Sequence, residues 1–224
     1  PETPCLELFA GYRSARQVSG DFYDLLVRPD GQLAFVVADI SGKGLAAAMM
    51  MSSVRTAMRT ALRELPTPEA VLGKVNQELY DDLTEVRKFV TLFVGFFNCE
   101  TRQITYANAG HSPVIFCDVQ GAAHILEPDG PPLGVLPATL SADQTLRLNS
   151  GDVLAITSDG LCEAEDPAGK LFGYDRLLQA ISDLSPAGAT ALGDYLFDQV
   201  SIFAENRRQA DDQTLVILRG KIDD

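Results

Sequence analysis

Hydrophobic and polar residues repeat along the chain with two different periods. Short apolar runs rich in β-branched and aromatic residues predict strands, whereas apolar residues three or four positions apart predict amphipathic helices. The predicted strands are 6–10, 22–27, 33–38, 89–97, 104–107, 114–117, 124–126, 144–148, 152–157 and 214–218. The predicted helices are 45–63, 68–83, 174–181 and 189–203.

The turns between these runs predict how the strands pair. Asp30-Gly31 lies between two apolar runs and predicts a hairpin of strands 22–27 and 33–38. The strands between 89 and 126 are predicted to continue as a meander, and Asn149-Ser150-Gly151 is predicted to join 144–148 to 152–157 as a further pair. Antiparallel strands interleaved with two pairs of helices predict an α+β fold, a layered sandwich of two antiparallel sheets flanked by helices, in a single domain over residues 1–224.

Charge and composition narrow the classes of partner and compartment. The formal net charge of −13 and the pI near 4.5 argue against a nucleic-acid partner. No apolar run approaches the roughly 18 residues of a membrane span, and no signal peptide is visible. Four cysteines without CxxC spacing predict reduced thiols of a cytoplasmic protein. The first residues lack a methionine and resemble a linker, so we expect an origin in a larger protein.

Aspartates stand at the ends of several predicted strands. An apolar run ends in Asp39, passes through Ile40-Ser41-Gly42-Lys43-Gly44 and opens into a helix. Asp21 enters the strand that the Asp30-Gly31 turn pairs with this run, so Asp21 and Asp39 fall at the same end of the hairpin. Asp159 follows another strand and precedes Gly160, and Asp211-Asp212 precedes the last strand.

Carboxylates about 4 Å apart repel by roughly 4 kcal/mol at an effective dielectric near 20, so converging aspartates favour a bound cation. All-oxygen ligands favour Mg²⁺ or Mn²⁺, and metal-assisted phosphoester hydrolysis is the reaction that fits. The residues alone leave ordinary structural turns as the alternative. A serine triad has no Gly-x-Ser-x-Gly elbow here, and the phosphate-loop spacing is absent. Gly42 and Gly44 are therefore predicted to serve the turn, and Lys43 to cap it or lie in solvent.

Five segments together resemble one protein family. They are Val18-Ser19-Gly20-Asp21-Phe22-Tyr23-Asp24, Ala38-Asp39-Ile40-Ser41-Gly42-Lys43-Gly44, Tyr106-Ala107-Asn108-Ala109-Gly110-His111, Thr157-Ser158-Asp159-Gly160 and Asp211-Asp212-Gln213-Thr214. In this order they resemble the bacterial branch of metal-dependent PP2C-type serine/threonine phosphatases, the stage II sporulation protein E and RsbU-like group. The resemblance implies a PP2C-like layered sandwich with two central antiparallel sheets.

The resemblance also implies a ligand set for two Mn²⁺ or Mg²⁺ ions, which activate a water for direct attack on phosphoserine or phosphothreonine. Asp21 and Asp39 match the catalytic pair, and Asp211 is preferred to its neighbour. Gly42, Gly44 and Gly160 keep the backbone close, and the segment 108–111 is a signature without an assigned role. The implied metal ligands are Asp21, Asp39, the Ile40 carbonyl, Asp159 and Asp211, with Asp24, Asp212 and Gly160 as candidate auxiliary residues.

Proteins of this group act on a phosphorylated anti-sigma factor antagonist of the STAS type, as the output domain behind an upstream regulatory domain in the same chain. The resemblance makes helix 45–63 a candidate switch that seats Asp39. Ile40 stands where eukaryotic relatives carry glycine, and no arginine is placed to grip the substrate phosphate. The alternatives are a catalytically silent binding module and a small-molecule phosphoesterase.

Overall fold

The computed structural model of the protein describes residues 3–15, 19–42, 44–205 and 207–221. Lys43 and Val18, which belong to two of the motifs above, lie outside these residues. Within the described part, no helix combines the length and the apolar composition needed to cross a membrane. The strands there are β1 (Leu6–Arg13), β2 (Phe22–Val27), β3 (Leu33–Ile40), β4 (Val90–Asn98), β5 (Gln103–Ala109), β6 (Val114–Cys117), β7 (Ala123–Ile125), β8 (Gln144–Arg147), β9 (Val153–Thr157) and β10 (Gln213–Gly220). The helices are α1 (Leu45–Glu64), α2 (Pro68–Glu85), α3 (Asp159–Cys162), α4 (Gly173–Leu184) and α5 (Ala189–Ala204).

The chain divides into two compact units, each built from segments that are distant in sequence. The first contains Val18–His111 and Glu127–Arg147, and the second contains Glu2–Gln17, Ser112–Leu126 and Leu148–Asp224. Each unit has one five-stranded antiparallel sheet, in the order β2-β3-β4-β5-β8 in the first and β1-β10-β9-β6-β7 in the second.

In the first unit the alternation along β3 separates the two faces of the sheet. Ala34, Val36, Ala38 and Ile40 belong to a buried cluster that includes the apolar side chains of α1 and α2. The residues between them, Phe35, Val37 and Asp39, therefore lie on the opposite face. The helix α2 begins where the sequence predicts, because Thr67 caps it by accepting the N–H of Ala70 at 3.3 Å.

In the second unit the last strand is central to the sheet. All eight residues of β10 are buried, and its neighbours are β1 and β9. One face packs against α4 and α5 through a cluster that includes Leu177, Leu196, Leu215 and Ile217. A strand that is buried on both faces has a nearly continuous run of apolar residues, which explains why this strand could be predicted from the sequence.

The element prediction is confirmed in most respects. Every predicted strand and helix is present, the hairpin at Asp30-Gly31 forms with Gly31 at φ +83°, and the fold is α+β with two antiparallel sheets. The short helix α3 was not predicted, because four residues are too few to show a helical period.

Two of the predicted strand pairings are wrong. β8 pairs with β5, whereas β9 pairs with β10 and β6, and β5 does not pair with β6. The segment between β8 and β9 bonds to the end of β10 instead of closing a hairpin: Gly151 N–H donates to Gly220 O at 2.9 Å, and Gly220 N–H donates to Asp152 O at 3.0 Å. The Asp152 carboxylate also accepts the N–H groups of Asn149 and Val119 at 2.8 and 2.9 Å.

The prediction of four reduced thiols is wrong for two of them. Cys5 and Cys99 are disulfide-bonded, and Cys117 and Cys162 are free and buried. A disulfide requires Cα atoms within about 7 Å, and the spacing of cysteines along a chain does not reveal that distance.

Two glycine substitutions in the first unit should change stability in opposite directions. A Cβ on Gly73, inside α2, would lie 3.9 Å from Thr139, so Gly73→Ala should raise the free energy of unfolding by about 0.5–1 kcal/mol. A Cβ on Gly95 would overlap the buried Phe35 ring, so Gly95→Ala should lower it by about 1–3 kcal/mol. Urea titration measures both, and a shift of the same sign in both variants would contradict the packing described here.

Candidate active site

Asp21 lies directly opposite Asp39 at one end of the first sheet. The register of β2 against β3 continues beyond β2, because Ile40 N–H donates to Gly20 O at 3.3 Å. Gly20 and Ile40 therefore form a hydrogen-bonded pair, and the next pair, Asp21 and Asp39, is a non-hydrogen-bonded pair. In such a pair the Cα atoms are about 4.5 Å apart and the side chains are closest. Asp21 is only 5% exposed, so water screens the repulsion between the two carboxylates weakly.

The carbonyl of Ile40 lies next to this pair. A Cβ on Gly20 would come within 3.0 Å of the Ile40 oxygen, so glycine at position 20 leaves room on that side of the oxygen. Two carboxylates and one carbonyl oxygen are thus grouped at the β2–β3 end of the sheet.

The turn after Ile40 is fixed by its serine and its glycines. Ser41 N–H donates to Phe89 O at 2.9 Å, and Ser41 Oγ accepts Phe89 N–H at 2.9 Å. Gly42 and Gly44 have φ values of +86° and +91°, which favour glycine. A Cβ on Gly42 would collide with the Lys88 Nζ, so Lys88 is a cation at this turn that the sequence did not predict.

Asp24 lies on the opposite face of β2 from Asp21. Its Oδ2 accepts a bond from Arg59 Nε at 2.5 Å and lies 3.7 Å from Arg55 Nε, and both arginines belong to α1. The Asp24 side chain is 9% exposed, and its Oδ1 also accepts Leu25 N–H at 3.0 Å. The structure therefore places Asp24 in the interface between β2 and α1, away from the Asp21 carboxylate.

In the second unit, Asp159 begins α3 immediately after β9. Ser158 N–H donates to Thr214 O at 3.0 Å, and Ser158 Oγ accepts Thr214 N–H at 3.0 Å and donates to Asp212 O at 3.2 Å. A Cβ on Gly160 would overlap the Asp212 carbonyl oxygen. Gly160 therefore permits the segment before β10 to pass directly against the Asp159 turn.

The two aspartates before β10 have different surroundings. Asp212 is 8% exposed, and its Oδ1 accepts the N–H of Ala15 at 2.8 Å. Asp211 is half-buried, and its Oδ1 accepts the N–H of Asp212 at 2.9 Å. The Asp212 carboxylate is thus engaged with the segment that follows β1, and the Asp211 carboxylate is engaged with the backbone of its neighbour.

The oxygen donors suit a hard divalent cation. Among the described residues, no group of three or more His, Cys, Asp or Glu side chains is arranged to hold a metal ion. Mg²⁺ keeps several waters and takes one or two protein carboxylates, so the Asp21 and Asp39 pair with the Ile40 carbonyl fits it without a complete protein cage. An oxygen-only set is also suited to Mn²⁺.

A buried thiol lies beside Asp159. Burial, and then the Asp159 carboxylate, raise the pKa of Cys162 to about 11, and its Sγ donates to Asp159 O at 3.1 Å. Cysteine nucleophiles require a lowered pKa, so Cys162 is protonated at neutral pH and is not a thiolate nucleophile.

The family model described as Stage II sporulation protein E (SpoIIE) matches residues 29–221. The chain belongs to the SpoIIE family. The resemblance that the five motifs indicated is thereby confirmed.

Two relatives of this SpoIIE-family chain are aligned over nearly all of it. The phosphoserine phosphatase RsbU of Bacillus subtilis is 28% identical over 223 residues, which cover 99% of this chain and 65% of RsbU. Protein IcfG of Synechocystis sp. is 27% identical over 242 residues, which cover 96% of this chain and 38% of IcfG. The chain therefore spans less than two thirds of the length of these relatives.

Solved structures confirm the PP2C-like fold. The RsbU and RsbW domains of Rv1364c from Mycobacterium tuberculosis match with a TM-score of 0.80 at 27% identity, over 97% of this chain and 60% of that one. The SiaA-PP2C domain of Pseudomonas aeruginosa matches with a TM-score of 0.85 at 21% identity, over 96% of this chain and 86% of that one.

Replacing Asp24 distinguishes a carboxylate that holds α1 from one that binds metal. Asp24→Asn should lower the free energy of unfolding by about 1–2 kcal/mol, because it removes the charge that Arg59 contacts. Asp21→Asn should reduce Mn²⁺ affinity more than Asp24→Asn does, by a further factor of at least about ten. The reason is that removing a supporting residue lowers metal affinity less than removing a ligand does. Urea titration and calorimetric Mn²⁺ titration measure the two effects, and equal losses of Mn²⁺ affinity would make Asp24 a ligand.

Proposed function

We propose that this chain is a divalent-cation-dependent protein serine/threonine phosphatase. The observation that carries the proposal is the pairing of Asp21 with Asp39 at the closest cross-strand position of the sheet, beside the Ile40 carbonyl. Like charges directly opposite each other destabilise a sheet, and a bound cation offsets that cost. Relatives of this chain are named phosphoserine phosphatases, which supports phosphoserine as the group attacked.

In this proposal the chain supplies oxygen ligands and a fixed geometry. The proposed ligands of Mn²⁺ or Mg²⁺ in the first unit are Asp21, Asp39 and the Ile40 carbonyl, and the proposed ligands in the second unit are Asp159 and Asp211. When bound, such ions supply Lewis acidity and a water of lowered pKa for attack on phosphorus. Gly42, Gly44 and Gly160 keep the backbone close to these carboxylates, and Lys88 is positioned at the Gly42 turn to meet an anionic substrate group.

The substrate that we propose is a phosphorylated partner protein, an anti-sigma factor antagonist of the STAS type. RsbU and RsbP of Bacillus subtilis are named phosphoserine phosphatases, and this chain covers 65% and 51% of their lengths. These shares support the further proposal that the 224 residues are the output domain of a longer cytoplasmic signalling protein with an upstream regulatory domain.

The test is a Mn²⁺-dependent dephosphorylation assay with a phosphoserine-bearing STAS domain and, separately, with nucleotides. Asp39→Asn should reduce kcat/KM for the phosphoprotein at least about 100-fold, because it removes a proposed metal ligand. The matched control is Asp81→Asn, an exposed carboxylate of α2, which should leave kcat/KM unchanged.

The outcomes separate the candidate functions. Full activity of Asp39→Asn would exclude the proposed ligand role. Nucleotide hydrolysis faster than phosphoprotein hydrolysis would make the chain a small-molecule phosphoesterase. Calorimetry that detects no Mn²⁺ binding would make it a catalytically silent binding module.

We also propose that α1 is the element through which an upstream domain controls this site. The helix starts directly after the turn that follows Asp39, and it is held at two places, by β2 and by the residue that follows β2. Asp24 contacts Arg59, and the Arg28 guanidinium donates to the carbonyls of Leu62 and Leu65 at the end of α1. A shift of α1 therefore acts on the strand that leads back to Asp21.

Weakening this attachment should lower activity. Arg59→Met should reduce kcat of the 224-residue chain about five- to tenfold at saturating Mn²⁺, within the usual range of coupling between sites. Arg63→Met, an exposed arginine on the last turn of the same helix, is the control. Equal kcat values for both variants and the unmodified chain would argue against control through α1.

A further inference from the structure

Four polar residues form a row across one end of the first sheet. The register pairs Asp39 with Thr91 on β4, on the same face as Asp21. The His111 side chain, just beyond β5, reaches the same row, because its Nδ1 lies 3.0 Å from Thr91 Oγ1. The order across the sheet is thus Asp21, Asp39, Thr91 and His111.

The backbone that carries His111 is held by hydrogen bonds and close packing. Asn108 Oδ1 accepts the His111 N–H at 2.8 Å, and Asn108 Nδ2 donates to the His111 carbonyl at 2.9 Å. Ser141 Oγ donates to the Asn108 carbonyl at 3.0 Å. Gly110 has φ +72°, and a Cβ there would lie 2.7 Å from the Pro132 ring. This explains the residue types of the 108–111 signature as the supports of one imidazole.

The hydrogen-bonding capacity of the two side chains allows either direction for their contact. His111 is 1% exposed, and Thr91 is half-buried. If His111 Nδ1 carries the proton, it donates to Thr91 Oγ1, and the Thr91 hydroxyl proton is then available for the neighbouring carboxylate. A carboxylate is an acceptor only, so this direction is the one that suits Asp39.

We infer that His111 and Thr91 are positioning residues that orient the Asp39 carboxylate for metal binding. The inference rests on the proposed function, since it concerns the ligand role of Asp39. In this inference His111 donates through Nδ1 to Thr91, which leaves the Thr91 hydroxyl proton for the Asp39 carboxylate that the register places opposite it. Outer partners of this kind hold a ligand in its binding geometry, and their loss typically costs about 10–100-fold in metal affinity.

The test compares Mn²⁺ affinity with stability in a matched set of variants. Thr91→Val keeps the shape but removes the hydroxyl, and calorimetry should show Mn²⁺ binding weakened about 10-fold or more. Thr91→Ser, which keeps the hydroxyl, should restore the affinity to within about twofold of the unmodified chain. Thr105→Val, a half-buried threonine of β5, controls for a general effect of the substitution and should leave Mn²⁺ affinity unchanged.

The possible results distinguish failure of the inference from failure of the proposed function. Mn²⁺ affinity that is the same in Thr91→Val and Thr105→Val, with the unmodified chain binding normally, would overturn the inference and leave the proposed function standing. Absence of Mn²⁺ binding to the unmodified chain would overturn both.

A second measurement reads the inference from the unmodified protein. The chain has two histidines, so nitrogen NMR of the unmodified protein, with a His124→Gln variant for assignment, reports the tautomer of His111. The inference expects a proton on Nδ1. A neutral ring protonated only on Nε2 would overturn it, because the Thr91 hydroxyl would then donate to His111 instead of to Asp39.

Discussion

The pairing register of β2 against β3 is the constraint on which the first unit depends. A slip of one residue between the two strands would place Asp21 and Asp39 on opposite faces of the sheet. Two features prevent it. The apolar residues of β3 that alternate with Asp39 are buried against α1 and α2, and the Asp30-Gly31 turn fixes the chain reversal through the bond from Gly31 N–H to Arg28 O at 3.0 Å. The hydrophobic core thus enforces the proximity of two like charges.

The strand that carries this arrangement needs a second support. β2 is at the edge of its sheet, with a strand neighbour on one side only, and edge strands are the least restrained. The helix α1 supplies the restraint through Asp24 and through Arg28, whose guanidinium is also stacked 3.9 Å over the Phe96 ring. The same contacts that stabilise the edge strand therefore connect α1 mechanically to the carboxylate end of β2.

The sequence predicted local features well and pairings less well. Strands, helices and the aspartates at strand ends follow from periodicity and turn chemistry, which are local properties. The partners of β8 and β9 were missed, because the bonds between Gly151 and Gly220 join residues far apart in the chain. The role of Asp24 was missed for a similar reason, since its contact with Arg59 depends on which face of β2 meets α1. Thr91 gave no signal inside an apolar run, because its place beside Asp39 follows only from the β3–β4 register.

Asp39 and Asp159, which both follow long apolar runs, are held by the same local hydrogen-bond arrangement. Beside Asp39, Ser41 Oγ accepts the N–H of Phe89, and beside Asp159, Ser158 Oγ accepts the N–H of Thr214. In both turns a serine hydroxyl satisfies a backbone donor of a neighbouring segment, and a nearby glycine leaves room where a Cβ would collide. The backbone on which each carboxylate stands is therefore fixed by groups other than the carboxylate itself. Asp211 differs, because its own Oδ1 accepts the N–H of Asp212. The backbone of the loop before β10 is therefore held in part by the Asp211 carboxylate itself.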